Sequence, residues 1–357
     1  MVVKAPILHA IAVMAPDFKM KHGILWIGFG SFAKRLEPHV LVNSGAEVLR
    51  YLYPNKDESI RRFGPKACWD LEKSISDPEV TIVFITTPND QHTEYLKAAL
   101  KHGKHIFVEK PITARLSDTL ELLPKLRENK NILMVGHNMR RKRSIRRVKT
   151  IVSSEVIGQV VNIYANLSKG ITFDISSDDW RFSRTRHREG PLITVGVHLI
   201  DVLHYLFGPV NSVSAVIKNI SGKTEAPDSN AVLLNFESGT TAFLEANYNT
   251  PSEDFLYIFG TKGSIYLNRE NLYYRLGRDK NRVPSELTPV TLGRVDTLAE
   301  EMQEFFTAIE EVSRVETGYQ EALNALTVVE ACYRSHQSQK WIEIKSVTRE
   351  YFQNKSA

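Results

Sequence analysis

A short glycine-rich turn is the part of the sequence whose residue types and spacing most directly indicate chemistry. Residues 28–33, with the sequence GFGSFA, fit the pattern GxGxxA directly after the apolar run 24–27. The first glycine allows a tight turn, the second lets backbone approach a pyrophosphate, and the small third residue lets helix and strand pack closely. An ordinary tight turn is the alternative. The predicted dinucleotide-binding residues are Gly28, Gly30, Ser31 and Phe32.

The end of the second predicted strand bears on which dinucleotide is bound. Rossmann domains that use NAD usually carry Asp or Glu there to bind the ribose hydroxyls. Residues 50–54 are Arg-Tyr-Leu-Tyr-Pro, without an acid. An acid would repel a 2′-phosphate, so its absence permits NADP. Arg50 is a candidate for that phosphate unless strand alternation directs it away, and the predicted cofactor is NAD or NADP.

Alternating strand-like and helix-like runs must position this turn. Strands are predicted at 24–28, 47–53, 80–86, 105–108 and 132–135, with helical runs between them. Repetition of strand, helix and strand is typical of a doubly wound parallel sheet. Pro124 lies inside the last of these helical runs and is expected to kink or shorten it.

The pattern changes after about residue 150. Apolar and polar residues alternate over 161–167, as in a sheet with one covered face. Two hairpins are predicted, one joining 231–236 to 240–248 and the other joining 255–259 to 264–267. Helical periodicity returns over 297–309 and 320–335. The second half is therefore predicted to be α+β with a mainly antiparallel sheet.

Composition limits the class of protein. Hydrophobic residues make up 42% and charged residues 24%, the net charge is +5, and no apolar run reaches the roughly 18 residues of a membrane span. The two cysteines indicate neither a disulfide framework nor a metal site, and a cytoplasmic location is expected. Residues 1–22 are interpreted as an extension before the first strand. A secretory signal is the alternative, and His9 interrupts its apolar stretch.

Further motifs resemble one protein family. Thr86-Thr87-Pro88-Asn89-x-x-His92 is followed by Gly103-Lys104-His105 and by Glu109-Lys110-Pro111. In this order, behind a GxGxxA turn, they resemble the glucose-fructose oxidoreductase, inositol dehydrogenase and rhizopine catabolism (Gfo/Idh/MocA) family. The likeness continues through Gly196–Asp201 and Glu330–Ser335, and spans the chain from Gly23 to about Ile344.

The resemblance implies an NAD(P)-binding Rossmann domain over 23–138 and an α+β domain over 139–345, whose open sheet faces the cofactor, with a tail at 346–357. It implies reversible hydride transfer between the nicotinamide ring and a secondary alcohol or ketone carbon of a sugar, polyol or nucleotide sugar. It also implies a homodimer or homotetramer. No nucleic acid or membrane partner is expected.

Site residues follow from the resemblance position by position. Lys110 would lie between nicotinamide and substrate, before a Pro111 that is often cis in relatives. The other residues that would line the cofactor cleft are Thr87, Pro88, Asn89, His92 and Glu109. Burial beside a cationic nicotinamide would lower the pKa of a lysine toward working pH, and histidine titrates near neutrality without help. Lys110 and His198 are therefore the predicted catalytic pair; without the motifs, each would be an ordinary surface or structural residue.

The chain departs from the family pattern at one position. Relatives typically place Asp four residues before the histidine, and this chain has Thr194. Threonine can hydrogen-bond a sugar hydroxyl but cannot act as a base near pH 7. The alternative function is therefore a non-catalytic regulator or sensor that binds a dinucleotide.

A basic run gives a clue to the substrate. Seven of the ten residues 140–149 are Lys or Arg. A solvated helix face, an anionic sugar-type substrate and, with no reading motif beside it, nucleic acid are the alternatives. By family position, the expected substrate contacts are Asn138, Arg140, Trp180, Arg181, Thr194 and His198, with Trp180 stacking on a sugar ring. No metal site is predicted.

Overall fold

The computed structural model describes residues 22–42, 45–53, 55–174, 176, 179–277 and 285–356. Residues 1–21 of the expected N-terminal extension and Pro54 lie outside the described residues. Across the described ranges, no helix combines the length and apolar character that crossing a membrane would require.

The first part of the chain forms a six-stranded parallel sheet in the order β3-β2-β1-β4-β5-β6. Its strands are β1 (His22–Ile27), β2 (Ala46–Leu52), β3 (Ala67–Cys68), β4 (Val80–Ile85), β5 (His105–Val108) and β6 (Leu133–Val135). Its helices are α1 (Ser31–Leu41), α2 (Lys56–Phe63), α3 (Leu71–Ile75), α4 (His92–Lys101) and α5 (Leu116–Glu128). The predicted doubly wound sheet is confirmed, and its central strands read as apolar runs because both faces are buried.

Helix α5 contains Pro124, and of the two effects expected of that proline the shortening is not seen. The helix continues four residues beyond it. Leu120, Leu123 and Leu126 are buried on either side of the proline. The free energy gained by burying these leucines exceeds the free energy lost because proline cannot form one backbone hydrogen bond.

The second part forms a nine-stranded sheet in the order β14-β13-β12-β11-β7-β10-β9-β8-β15, antiparallel except where β7 lies parallel to β10. The strands are β7 (Val160–Ser168), β8 (Val210–Lys218), β9 (Ser229–Phe236), β10 (Thr241–Asn247), β11 (Glu253–Gly260), β12 (Gly263–Asn268), β13 (Asn271–Leu276), β14 (Thr288–Val290) and β15 (Ile342–Glu343). Both predicted hairpins are confirmed, as β9–β10 and β11–β12.

Six helices accompany this sheet: α6 (Arg143–Ser153), α7 (Ile171–Asp174), α8 (Val197–Phe207), α9 (Thr297–Glu311), α10 (Tyr319–Ser338) and α11 (Ile344–Ser356). Helices α8 and α10 pack on one face, where Ile163 and Ala165 of β7 join the core. Helix α9 instead returns to the first sheet: the ring of Phe305 lies 5.7 Å from that of Phe84. Helix α11 covers the expected C-terminal tail and buries Val347 completely.

The two faces of the second sheet differ in burial. One row of residues in register across seven strands is buried: Ala215, Val232, Leu244, Ala165, Leu256, Leu267 and Leu272. The row next to it points to the opposite face and is exposed or partly exposed: Ser214, Leu233, Phe243, Tyr164, Tyr257, Tyr266 and Tyr273. We call this second set the aromatic row.

Candidate active site

A cleft of about 610 Å³ opens where the carboxyl ends of the parallel strands approach the second sheet. Strand order reverses between β1 and β4, and doubly wound sheets bind ligands at this kind of point. The predicted site residues that line the cleft are Gly30, Ser31, Phe32, Thr87, Pro88, Asn89, Glu109, Lys110, Asn138, Trp180, Arg181, Thr194 and His198. Gly28, His92 and Arg140 lie outside this lining.

The two glycines of the turn after β1 have different environments. Gly28 has a φ of +79°, and a Cβ there would lie 2.5 Å from Cγ2 of Thr87 and 2.9 Å from its Cα. Gly30 has a φ of −85°, and no heavy atom of the described part of the chain lies within 4 Å of the position of its ideal Cβ. The turn itself therefore requires glycine at position 28, whereas Gly30 leaves open space at the start of α1.

Loops after β4 and β5 present unpaired polar atoms. Oγ1 of Thr87, Nδ2 of Asn89 and Oε1 of Glu109 are buried without a hydrogen-bond partner among the described residues. Buried polar atoms are nearly always paired, so three such atoms around one cleft indicate that a polar ligand completes them.

His92 holds these two loops together from behind. It is fully buried, with Nδ1 2.8 Å from the Pro111 carbonyl oxygen and Nε2 3.0 Å from the Thr87 carbonyl oxygen. Burial lowers the pKa of His92, so the ring is neutral near pH 7. The residue therefore contacts both loops without reaching the cleft.

Lys110 projects into the cleft next to a cis peptide bond to Pro111. Its Nζ donates a hydrogen bond to the Thr194 carbonyl oxygen at 2.7 Å. Burial lowers the pKa of Lys110, and the neighbouring Glu109 opposes that change. Burial raises the pKa of Glu109 to about 7. Burial thus disfavours the charged form of both side chains.

His198 and Thr194 reach the same cleft from one segment. The π-helical turn Leu192–Gly196 runs directly into α8, which carries His198 in its first turn. Burial, with Lys110 adding repulsion, lowers the pKa of His198 well below its usual value, and its Nδ1 has no partner. The Thr194 hydroxyl forms a short hydrogen bond with the Tyr248 hydroxyl. Burial raises the pKa of Tyr248 to about 12, so its hydroxyl stays protonated.

Three further predicted residues lie at the outer part of the cleft. Nδ2 of Asn138 donates to Oγ1 of Thr297 at 3.2 Å. Arg181 donates to both carboxylate oxygens of Asp179 at 3.0 Å, and its guanidinium lies 4.7 Å from the Trp180 ring centre. This stacking holds the indole in place at the cleft.

Arg140 differs from its expected position in the cleft. It is buried, and its Nε and Nη2 donate to the two carboxylate oxygens of Asp201 at 2.7 and 2.6 Å. A bidentate arginine–carboxylate pair is strong and geometrically specific. Arg140 therefore links the loop after β6 to α8.

Most of the remaining basic run is paired in a similar way. The salt bridges are Arg141 with Glu301 and Glu304, Lys142 with Asp254 and Glu270, Arg143 with Glu300, and Arg146 with Glu316. Lys149 donates to the Tyr205 carbonyl oxygen, and Arg147 is exposed. Only Lys142 of the run lines the cleft. The run mainly joins elements of the fold and is not simply a solvated helix face.

Arg50, the candidate for a 2′-phosphate, is directed away from the turn. Its Nη2 lies 3.6 Å from Asp77, and its Nη1 donates to the Leu49 carbonyl oxygen at 3.3 Å. Strand alternation explains this direction, since the next residue, Tyr51, bonds to Glu37 of α1.

Sequence reasoning misses several residues of the cleft. Arg35, Lys169, Tyr248 and Asp254 all line it. Tyr248 continues the buried alternation of β10, so its position in the sequence resembles that of a core residue. Nothing local distinguishes it from Leu244 or Ala246, which are core residues.

The residues present fit a dinucleotide. The open space at Gly30, the helix start at Ser31 and the unpaired atoms of Thr87, Asn89 and Glu109 lie along one cleft. Helix starts attract phosphate, and buried hydroxyl, amide and carboxyl groups suit ribose and carboxamide.

Comparison with known proteins gives one family for both parts of the chain. Residues 22–137 match the oxidoreductase family with an NAD-binding Rossmann fold, and residues 145–266 match the GFO/IDH/MocA C-terminal domain.

Relatives of this chain include named sugar oxidoreductases. A levoglucosan dehydrogenase from Pseudarthrobacter phenanthrenivorans is 25% identical over 340 residues, covering 82% of this chain and 87% of the relative. A 1,5-anhydro-D-fructose reductase from Ensifer adhaerens is 26% identical over 203 residues, covering 56% and 60%. The structure of a levoglucosan dehydrogenase with NADH and levoglucosan has a TM-score of 0.81 at 23% identity, covering 91% and 100%.

Proposed function

The chain belongs to the Gfo/Idh/MocA family of NAD(P)-dependent oxidoreductases, and from this premise we propose that Lys110 and His198 handle the proton when it oxidises a sugar alcohol or reduces the ketone. The observation that carries the proposal is the meeting of Lys110, Thr194 and His198 in one cleft beside the glycine turn. In this reaction the bound nicotinamide accepts or supplies the hydride.

Lys110 acts as the base during alcohol oxidation. Its lowered pKa makes the neutral amine more accessible than that of a solvent-exposed lysine. One N–H is held by the Thr194 carbonyl oxygen, which orients the amine and leaves its lone pair free for the substrate hydroxyl proton. In the reverse direction the ammonium returns that proton to the developing alkoxide.

His198 orients the same hydroxyl group. Its lowered pKa keeps the ring neutral, so one nitrogen can donate and the other can accept. The unpaired Nδ1 leaves a hydrogen bond for the substrate. Lys110 and His198 together therefore fix the hydroxyl for hydride transfer and pass its proton on.

Thr194 and Tyr248 contact the substrate without taking its proton. Neither hydroxyl ionises near neutral pH, since burial raises the pKa of Tyr248 to about 12. Their hydrogen bond fixes two hydroxyl groups at the cleft wall, at the position where the family resemblance implies an aspartate. Thr194 and Tyr248 thus offer hydrogen bonds to the substrate at this position but no group that takes a proton.

The substrate is a sugar or a sugar derivative. Two of the cationic side chains of the cleft are paired with carboxylates, Lys142 with Asp254 and Arg181 with Asp179, while Arg35 and Lys169 also line it. An anionic group that bound Lys142 or Arg181 would have to displace those carboxylates, which costs free energy. Trp180 offers a flat face to a sugar ring, and relatives of this chain are named a levoglucosan dehydrogenase and a 1,5-anhydro-D-fructose reductase.

The chain assembles as a homodimer or homotetramer through the open face of the second sheet. The aromatic row presents a contiguous apolar surface, with Tyr164 48% and Leu233 46% exposed. Apolar patches of this kind on a protein surface commonly mark association sites.

Nicotinamide absorbance tests the activity directly. We expect turnover with at least one member of a panel that includes levoglucosan, 1,5-anhydro-D-fructose and common aldoses. Lys110→Ala should reduce kcat by about 10²- to 10⁴-fold, the usual contribution of a general acid–base group. The exposed Lys101 supplies the control variant, Lys101→Ala, which should keep full activity.

Two outcomes would contradict the proposal. Turnover that survives Lys110→Ala unchanged would remove Lys110 from the chemistry. Tight dinucleotide binding by calorimetry, with no turnover on any sugar, would favour the regulator that Thr194 motivates.

A further inference from the structure

An arginine on α2 lies beside the glycine turn. Nη2 of Arg62 donates to the Phe29 carbonyl oxygen at 2.8 Å, within the sequence Gly28-Phe29-Gly30. Its guanidinium carbon lies 5.0 Å from the ring centre of Tyr53, the first residue after β2. The same carbon lies 5.3 Å from the ring centre of Phe63.

Tyr53 lies at the strand end where Rossmann domains bind the adenosine ribose of a dinucleotide. The turn and the end of β2 are adjacent, since Gly28 N donates to the Leu52 carbonyl oxygen at 3.3 Å. In Rossmann domains that use NAD, an acid near this strand end binds the ribose hydroxyls, whereas an arginine nearby accommodates the 2′-phosphate of NADP. Here the strand end carries a tyrosine, and Arg62 covers it.

Four other cations of β2, α2 and the segment after α2 face other groups or solvent, whereas Arg35 of α1 lines the cleft. Arg50 faces Asp77, Lys66 faces Glu47, and Nζ of Lys56 lies 4.9 Å from the Trp69 ring centre. Arg61 is exposed on the neighbouring position of α2. Arg62 alone among these five bonds to the glycine turn.

The existing partners of Arg62 leave it able to bind phosphate. Its hydrogen bond to Phe29 uses one N–H, and its ion pair with Glu58 is an i,i+4 contact at 3.3 Å in which both side chains are about one-third exposed or less. Such partly exposed pairs contribute little to stability. A phosphate dianion forms stronger, bidentate bonds to guanidinium and can displace the carboxylate.

We propose that Arg62, held by the Phe29 carbonyl and stacked on Tyr53, binds the 2′-phosphate and makes NADP(H) the preferred cofactor. This inference rests on the proposed function, since it needs a dinucleotide in the cleft. Tyr53 supports the guanidinium of Arg62 beside the ribose end, and the arginine supplies the charge that discriminates between the two cofactors.

Calorimetric titration with NADPH and NADH tests the inference without any turnover. We expect the unmodified chain to bind NADPH more tightly. Arg62→Met keeps an apolar side chain against Tyr53 but removes the charge. It should reduce the ratio of NADPH affinity to NADH affinity by about 10- to 100-fold, because losing hydrogen bonds to a charged group weakens binding by about that factor. NADH affinity should change by less than about threefold, because the 2′-hydroxyl needs no cation.

Arg61→Met is the matched control, because it removes one positive charge from the same helix one position away. It should leave the ratio unchanged. As a second probe, 2′-AMP should compete for the site better than 5′-AMP in the unmodified chain, and this advantage should disappear in Arg62→Met.

Three results would overturn the inference. An unmodified chain that prefers NADH, or binds both cofactors equally, would remove the specificity while leaving the proposed function intact. An equal loss of both affinities in Arg62→Met would show that Arg62 only supports the turn. Binding of neither cofactor by the unmodified chain would contradict the proposed function itself.

Discussion

Glu109 and Lys110 are adjacent in sequence, face the same cleft, and each changes the charge state of the other. Burial disfavours both charged forms, while each charge favours the other. Lys110 therefore has a pKa set by two opposing effects, and Glu109 is a positioning residue for its proton.

Removing the Glu109 charge should move the pH dependence of alcohol oxidation. The rate rises with pH as Lys110 loses its proton, and an ionised Glu109 raises the pKa of Lys110. Glu109→Gln should therefore shift the rise in kcat/KM to lower pH, an effect expected above about pH 7, where Glu109 is ionised. Glu94→Gln, on the exposed face of α4, is the control. A rise at unchanged or higher pH would show that Glu109 does not act on Lys110.

The β1–α1 turn shows how one element separates folding from binding. Gly28 is required by the backbone, because its φ is positive and the space for a side chain is filled by Thr87. Gly30 has neither a positive φ nor a neighbour that excludes a side chain. Its glycine therefore keeps space open for a ligand.

Alanine at the two positions should therefore have different effects. Gly28→Ala should lower the free energy of unfolding by at least about 1–3 kcal/mol, because alanine would be strained at a positive φ and would clash with Thr87. Gly30→Ala should leave the melting temperature nearly unchanged but weaken NAD(P)H binding by at least about tenfold, because its methyl group enters the pyrophosphate space. Calorimetry measures both quantities. Full cofactor affinity in a folded Gly30→Ala variant would place the pyrophosphate elsewhere.

At the scale of the whole molecule, the second sheet has one buried face in the core and one exposed face, which carries the aromatic row and is the proposed association surface. In-register pairing carries the alternation from strand to strand, so the buried row and the aromatic row remain distinct across seven strands. Helices α8 and α10 cover only the first of these faces.

A charge in the aromatic row should disrupt assembly. Tyr164 lies near its centre, between Phe243 and Tyr257 in register. Tyr164→Glu should reduce the molar mass in light scattering to that of one chain, because a buried unpaired carboxylate is costly. Val42→Glu, at a 72% exposed position after α1, should leave the mass unchanged. An unmodified chain that is already monomeric would contradict the proposed assembly.

The sequence by itself determined the elements and the family. Apolar runs, two-residue alternation and the glycine turn are local signals. They predicted the doubly wound parallel sheet, both hairpins and the main helices. Motif matching likewise selected Lys110, Thr194 and His198, which do line one cleft. Local periodicity was sufficient to predict these elements, because the spacing of apolar residues along the chain follows the face of each helix or strand that is buried.

Only the tertiary structure decided which distant side chains pair. Lys110 bonds to a carbonyl 84 residues away, Thr194 meets Tyr248 54 residues away, and Arg140 pairs with Asp201. Helix α5 likewise continues through Pro124 because its buried leucines stabilise it. These outcomes depend on which surfaces meet when separate elements pack, and no window of neighbouring residues contains that information.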